Sequence, residues 1–139
     1  MTFNELHRDT DCNCIENAKA DEGNVFARRI TGEKAIANDF KSYWDEGRTV
    51  KDGKNCELVC DHKGVSVYVV NDETEIQSKF KEIKAHKRMS TRFTHYCLLK
   101  LKNSAGLLKQ SGKDKAHYNF FKSDDFQIDK LEIIAIRPI

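Results

Sequence analysis

From residue 92 onward the chain offers one β-patterned run after another, with no helical period between them. In "RFTHYCLLKLK" (92–102) Phe93, His95, Cys97, Leu99 and Leu101 share one face, because side chains two apart in a strand point the same way. "NSAG" can turn the chain back into "GLLKQ", and "HYNFF" and "KLEIIAIRPI" complete the series. The last run is apolar on both faces, which predicts a central strand, and the only proline, Pro138, sits where that strand can end.

Upstream the patterns mix. "NVFARRI" (24–30) reads as a first strand in which Arg28 shares a face with Phe26 and Ile30. "TGEKAIANDFKSYWDEG" (31–47) reads as a helix capped by Thr31 and stopped by Gly47, with Ile36, Phe40, Tyr43 and Trp44 as its buried stripe. "NCELVCDHKG" (55–64) fits a short helix ended by Gly64 in the left-handed conformation, with Cys56, Val59 and Cys60 on one face. "VSVYVV" (65–70) is a strand, and residues 71–86 form a helix capped by Asn71 or Asp72 that buries Ile76, Phe80 and Ile83. Helices early and strands late predict a single compact α+β domain over residues 24–139. Its sheet is mixed or mainly antiparallel, of about five strands, with two to three helices packed on it. Residues 1–23 lack hydrophobic periodicity and carry six acids, so a loosely ordered acidic arm is expected there.

The longest apolar runs fall far short of the roughly 20 residues a membrane helix needs, so no membrane partner is expected. The polar, acidic N-terminal stretch does not read as a secretory signal, which points to a cytoplasmic address. Five cysteines in such a chain are expected to be reduced, and a disulfide framework is not expected.

Net charge is only +2, yet the segment from Lys79 to Lys115 carries +9 and the remainder −7. Gathered on one face, those cations would attract a nucleotide, a nucleic acid or an acidic protein. Lys84, Lys87, Arg88 and Arg92 in that segment, with Arg28 and Arg29 on the first strand, are the candidate ligand-binding residues. A guanidinium beside apolar side chains gains much from a bidentate phosphate, although Arg28 could instead pair with Asp39 or Glu132. Exposed Phe93 or Tyr96 beside that face would favour nucleic acid, whose bases stack on aromatics.

Phosphate-loop, dinucleotide-fold, metalloprotease and esterase motifs are absent. Cys12, Cys14, Cys56 and Cys60 could supply four thiolates to zinc, but one intervening residue between Cys12 and Cys14 is an uncommon spacing. No metal is therefore assigned, and zinc is held as a runner-up. The candidate catalytic residues are Ser66 in "GVSV", His95 and His117, imidazoles being suited to proton transfer near neutral pH.

The order of these polar positions, Arg28 or Arg29 on a first strand, Ser66 on a strand ahead of a helix, His117 or Glu132 late, resembles ADP-ribosyltransferase-like domains. The resemblance lies in element order alone. "GVSV" is not the family's Ser-Thr-Ser, and no "ExE" or "QxE" precedes a closing strand. It implies NAD as the cofactor, an arginine holding phosphates or ribose, and a late polar residue polarising the ribose. The expected function is a small domain that binds a phosphate-bearing ligand, nucleotide-like or RNA, through a basic face, with ADP-ribosyltransferase-like activity where the resemblance applies. The alternatives are a non-enzymatic interaction module of a bacterial conflict or toxin–antitoxin system, and a zinc-stabilised structural module.

Overall fold

The alternating runs form six strands in one antiparallel sheet. The computed structural model describes residues 3–7, 12–50, 55–86 and 92–139. In chain order the strands are β1 (Phe26–Ile30), β2 (Val65–Val69), β3 (His95–Leu101), β4 (Gly106–Gln110), β5 (His117–Lys122) and β6 (Leu131–Pro138). Across the sheet they run β4-β5-β2-β1-β3-β6. The helices are α1 (Phe3–His7), α2 (Cys56–Lys63) and α3 (Glu73–Ala85), so the chain is an α+β body with one strand more than expected.

Strand alternation divides the core. One face carries Phe26, Ile30, Val65, Val67, Cys97, Leu99 and Phe120, roofed by Ala35, Phe40, Phe126 and Ile128 from the connecting segments. The other carries Ala27, Tyr96 and Leu98 against Ile76 and Phe80 of α3, and Phe121 against Val59 of α2. Both longer helices therefore sit on one face, and the cleft described below lies on that face.

Capping follows the sequence at both helices. The Asn55 side chain accepts the Leu58 N–H at 3.1 Å and Asp72 accepts that of Thr74 at 2.9 Å, satisfying donors the first turn leaves open. Gly64 differs from expectation: its φ is −93°, not left-handed. Glycine is required there by space, since a Cβ would stand 2.7 Å from the Cβ of Asn119.

The helix expected over 31–47 is not formed. A 3-10 turn at Ala37–Phe40 and irregular chain replace it. The Asp39 carboxylate draws in the Thr31 N–H, the Thr31 hydroxyl and the Ile36 N–H at 2.9–3.0 Å, and Ser42 and Asp45 exchange side-chain to backbone bonds. Such side chains offer the backbone partners outside a helix. Of the expected stripe only Phe40 is fully buried, while Ile36 and Tyr43 are exposed.

β6 is an edge strand rather than a central one. Ile133 and Ile136 pack on one core and Ala135 on the other, whereas Ile134 is 47% exposed. Its apolar residues add to both cores from the edge of the sheet rather than from between two strands.

The cysteines depart most from expectation. Cys12 bonds Cys56 and Cys14 bonds Cys60, each pair with Cα atoms 5.3 Å apart, and only Cys97 is free. The spacings explain the pairing. Residues i and i+4 on a helix are separated by about 6 Å of rise, and i and i+2 in extended chain by about 6.6 Å. Two cysteines on α2 thus meet two on the neighbouring N-terminal segment rung for rung. The four sulfurs proposed as zinc thiolates are consumed in these bonds, which corrects both the reduced-thiol expectation and the zinc runner-up. The segment expected to be a loose arm carries α1 with Leu6 buried, both bridges, and a backbone pairing of Lys19 with Leu108.

Candidate functional site

β1 has two unlike neighbours. With β3 it pairs along its whole length, from Phe26↔Leu99 to Ile30↔His95. With β2 the register holds only at Phe26↔Val69 and Ala27↔Tyr68, after which the strands part. Arg28 enters the opening. Its Nε donates to the Asp39 carbonyl at 2.8 Å and its Nη1 to the Ser66 carbonyl at 3.1 Å, a group that a continuing ladder would have engaged. By strand parity Arg28 belongs to the face of Phe26, but it lines the cleft on the helix-bearing face.

That cleft, about 230 Å³, is lined by Arg28, Arg29, Lys41, Asp61, Ser66, Tyr68, Phe93 and His117 among others. Arg28 is 6% exposed and Arg29 8%. Neither forms an ion pair with a carboxylate among the described residues. The Asp39 carboxylate is engaged by Thr31 and Ile36 and reaches Arg28 only through its charge, and Glu132 stands exposed on β6, so neither sequence-suggested partner forms an ion pair with Arg28. Burial first, and the Arg29 charge second, push the Arg28 guanidinium down to about 10. The guanidinium carbons of Arg28, Arg29 and Arg92 lie 5.5, 4.9 and 4.8 Å from the centre of the buried Phe93 ring. An aromatic face attracts cations and here gathers three. Arg92, at the rim, is held bidentately by Glu46 at 2.8 and 3.0 Å. That bond, ahead of the opposing effect of burial, lowers the Glu46 carboxyl.

Opposite the arginines, Ser66 Oγ lies 2.5 Å from His117 Nε2. The register Tyr68↔His117 and Ser66↔Asn119 makes them diagonal neighbours on one face. His117 Nδ1 lies 3.0 Å from the Ser111 carbonyl, which can only accept, so Nδ1 carries the proton and Nε2 accepts from the Ser66 hydroxyl. The imidazole also packs on Tyr68, ring centres 5.3 Å apart. A hydroxyl bonded to an imidazole, beside buried positive charge, can orient a ligand hydroxyl or take its proton.

The structure thus brings Arg28, Arg29, Ser66 and His117 together, with Arg92 at the rim. His95 is elsewhere: paired with Ile30 and Pro138, it shares the face of Cys97, opposite the cleft. Its Nδ1 is 2.8 Å from the Thr94 hydroxyl. Cys97 is buried, and desolvation pushes its thiol up to about 12. Lys84 is exposed near the end of α3, and Lys87 and Arg88 lie outside the described residues.

No basic face gathers the 79–115 segment among the described residues. Lys100 is on β3 beside the β6 edge, Lys109 on β4 at the opposite edge, and Lys79 is bonded to Asp114. Phe93 and Tyr96, considered for base stacking, are both buried. Residues missed in the sequence include Lys41 and Asp61, which reach the cleft from loop and helix positions that no local pattern marks. Compared with protein-family models, curated proteins and solved structures, the chain finds no match. Among the described residues no helix is long and apolar enough to cross a membrane.

Proposed function

We propose that the cleft between β1 and β2 binds a phosphate-bearing, nucleotide-like ligand, with Arg29 and Arg28 on its phosphates and Ser66 and His117 on a ribose hydroxyl. One observation carries this reading: two buried guanidinium groups without a carboxylate partner share a small cleft with a hydrogen-bonded serine and histidine. Desolvated, mutually repelling cations are relieved by an anion, and a diphosphate offers bidentate acceptors to both. The resemblance to ADP-ribosyltransferase-like domains names NAD as the ligand and assigns the late polar role to His117 rather than to the exposed Glu132. The basic-face version of the reading, with RNA or an acidic protein as partner, loses its support to the spread of the lysines.

The setting proposed with it is an oxidising compartment instead of the cytoplasm, because paired disulfides persist where thiols are not kept reduced.

Calorimetric titration with ADP-ribose, NAD and inorganic phosphate tests the ligand. ADP-ribose and NAD are expected to bind with an affinity that falls with salt. Arg29→Ala should weaken them about 10- to 100-fold, the range for loss of a charge-assisted bond. Slow NAD turnover abolished by His117→Ala would add the enzymatic half. If neither nucleotide binds and Arg29→Ala changes nothing, the reading fails. The interaction-module alternative would then stand, with the exposed Ile134 on edge strand β6 as the surface to probe.

A further inference from the structure

The hydrogen bonds behind His117 do not end at Ser111. The Ser111 hydroxyl donates to Asp61 Oδ1 at 2.5 Å, and the buried Asn119 donates its Nδ2 to the same oxygen at 2.8 Å. Asp61 therefore ties the turn after β4, whose carbonyl sets the proton on His117, to the middle of β5. It stands on α2, the residue after Cys60, and α2 is bonded through Cys56 and Cys60 to the N-terminal segment. The neighbouring Gly64 lets α2 close onto Asn119, where any Cβ would collide.

We propose that Asp61 is a positioning residue of the cleft. Through Ser111 it holds His117 with its proton on Nδ1, leaving Nε2 as the acceptor that faces Ser66, and the two disulfides hold Asp61 in place. The serine–histidine pair then depends on the oxidation state of two bonds in another part of the molecule. This rests on the functional reading for its purpose but not for its geometry.

The chain of contacts is specific about which substitutions matter. Only Oδ1 of Asp61 is used by Ser111 and Asn119, so Asp61→Asn keeps an acceptor at that place, whereas Asp61→Ala leaves none. Ser111→Ala removes the hydroxyl that reaches Asp61 but keeps the carbonyl that faces His117. Reduction of both disulfides frees the helix without changing any side chain in the network.

The test reads the ring nitrogens of His117 by 15N NMR at about pH 8, where an ordinary imidazole is neutral. In the wild type one tautomer, protonated at Nδ1, is expected. Asp61→Ala and Ser111→Ala should each raise the Nε2-protonated fraction severalfold, Asp61→Asn should restore the wild-type pattern, and reduction of the intact protein should reproduce the Ala result. A merely structural Asp61 would lower the melting temperature and leave the tautomer of the folded protein unchanged, which would overturn the proposal. Ser111→Ala, a surface-turn substitution, keeps the question answerable if Asp61→Ala does not fold. A tautomer shift in a protein that binds no ADP-ribose would end the functional reading alone. Ligand binding with an unmoved tautomer would end this one alone.

Discussion

The two flanks of β1 solve the same problem differently. Toward β3 every residue from Phe26 to Ile30 has a strand partner, and Phe26, Ile30, Cys97 and Leu99 of the two strands pack into one core. Toward β2 the ladder stops after Ala27, and an arginine side chain takes the carbonyl that the backbone has left. An opened ladder normally leaves buried polar groups unpaired, at about 1–3 kcal/mol each. Here the opening is held by Arg28, and space for a ligand results. The closed flank supplies core packing, and the open flank leaves the cleft proposed above as a binding site.

The bridges give the largest expected effect on that comparison. Closing a loop of 44 or 46 residues is worth about 4 kcal/mol. Once one bridge exists the second closes only a small ring, worth about 2 kcal/mol. Removing one bridge by Cys→Ser at both partners should therefore cost about 2 kcal/mol and removing both about 6 kcal/mol in urea unfolding. With both gone, amide exchange should quicken first in α2, β2 and β5, while the β1–β3–β6 side keeps its protection. Uniform loss of protection would break the contrast. Thiol titration checks the premise: one reactive thiol after denaturation without reductant, all five after reduction, and none in the native protein, where burial keeps Cys97 protonated.

Next come paired substitutions on the two flanks. Leu99→Ala on the closed side should cost about 3 kcal/mol, the usual price of a buried leucine, with ligand affinity unchanged. Arg28→Ala on the open side should cost about 2 kcal/mol, through the Asp39 and Ser66 carbonyls it abandons, and should also abolish most of the affinity for ADP-ribose. Calorimetry on both variants separates the effects. A loss of affinity in Leu99→Ala equal to that in Arg28→Ala would mean the flanks are not distinct.

A smaller effect concerns proton occupancy. Burial and the Arg29 charge push the Arg28 guanidinium down to about 10, so anion affinity should decline at high pH earlier than an ordinary guanidinium would allow. Because this base is depressed in the folded protein, its charge opposes folding below about 10, and that penalty is relieved as the proton leaves. The smallest effect is at the rim. Arg92→Ala should cost under about 1 kcal/mol in stability, as exposed pairs do. The Glu46 carboxyl it holds down should then titrate nearer its ordinary value, detectable by carboxyl NMR.

The strands were legible because a two-residue period survives burial on either face. "GLLKQ" forms β4 residue for residue, and α3 begins at a cap the sequence marks. The segment 31–47 was not legible, because its apolar spacing fits a helix while Asp39 and Ser42 bind the backbone in another shape. The bridges were hidden by a compositional argument, although the spacing of Cys12 with Cys14 matches the rise between Cys56 and Cys60. For the site, Arg28, Arg29, Ser66 and His117 could be named from their strand positions, but not the opening of the ladder that lets Arg28 cross to the other face. Asp61 acts through contacts 50 and 58 residues away, which no local pattern encodes.

The most direct measurement is the 15N–1H signal of the arginine Nε groups during titration with ADP-ribose. Saturable shifts are expected at Arg29 and Arg28, with the Arg28 shift lost in Arg29→Ala and no shift at Arg137 on the far edge strand. Signals of Arg28 and Arg29 that stay fixed while the nucleotide is added to saturation, or that move no more than Arg137, would contradict the proposed binding.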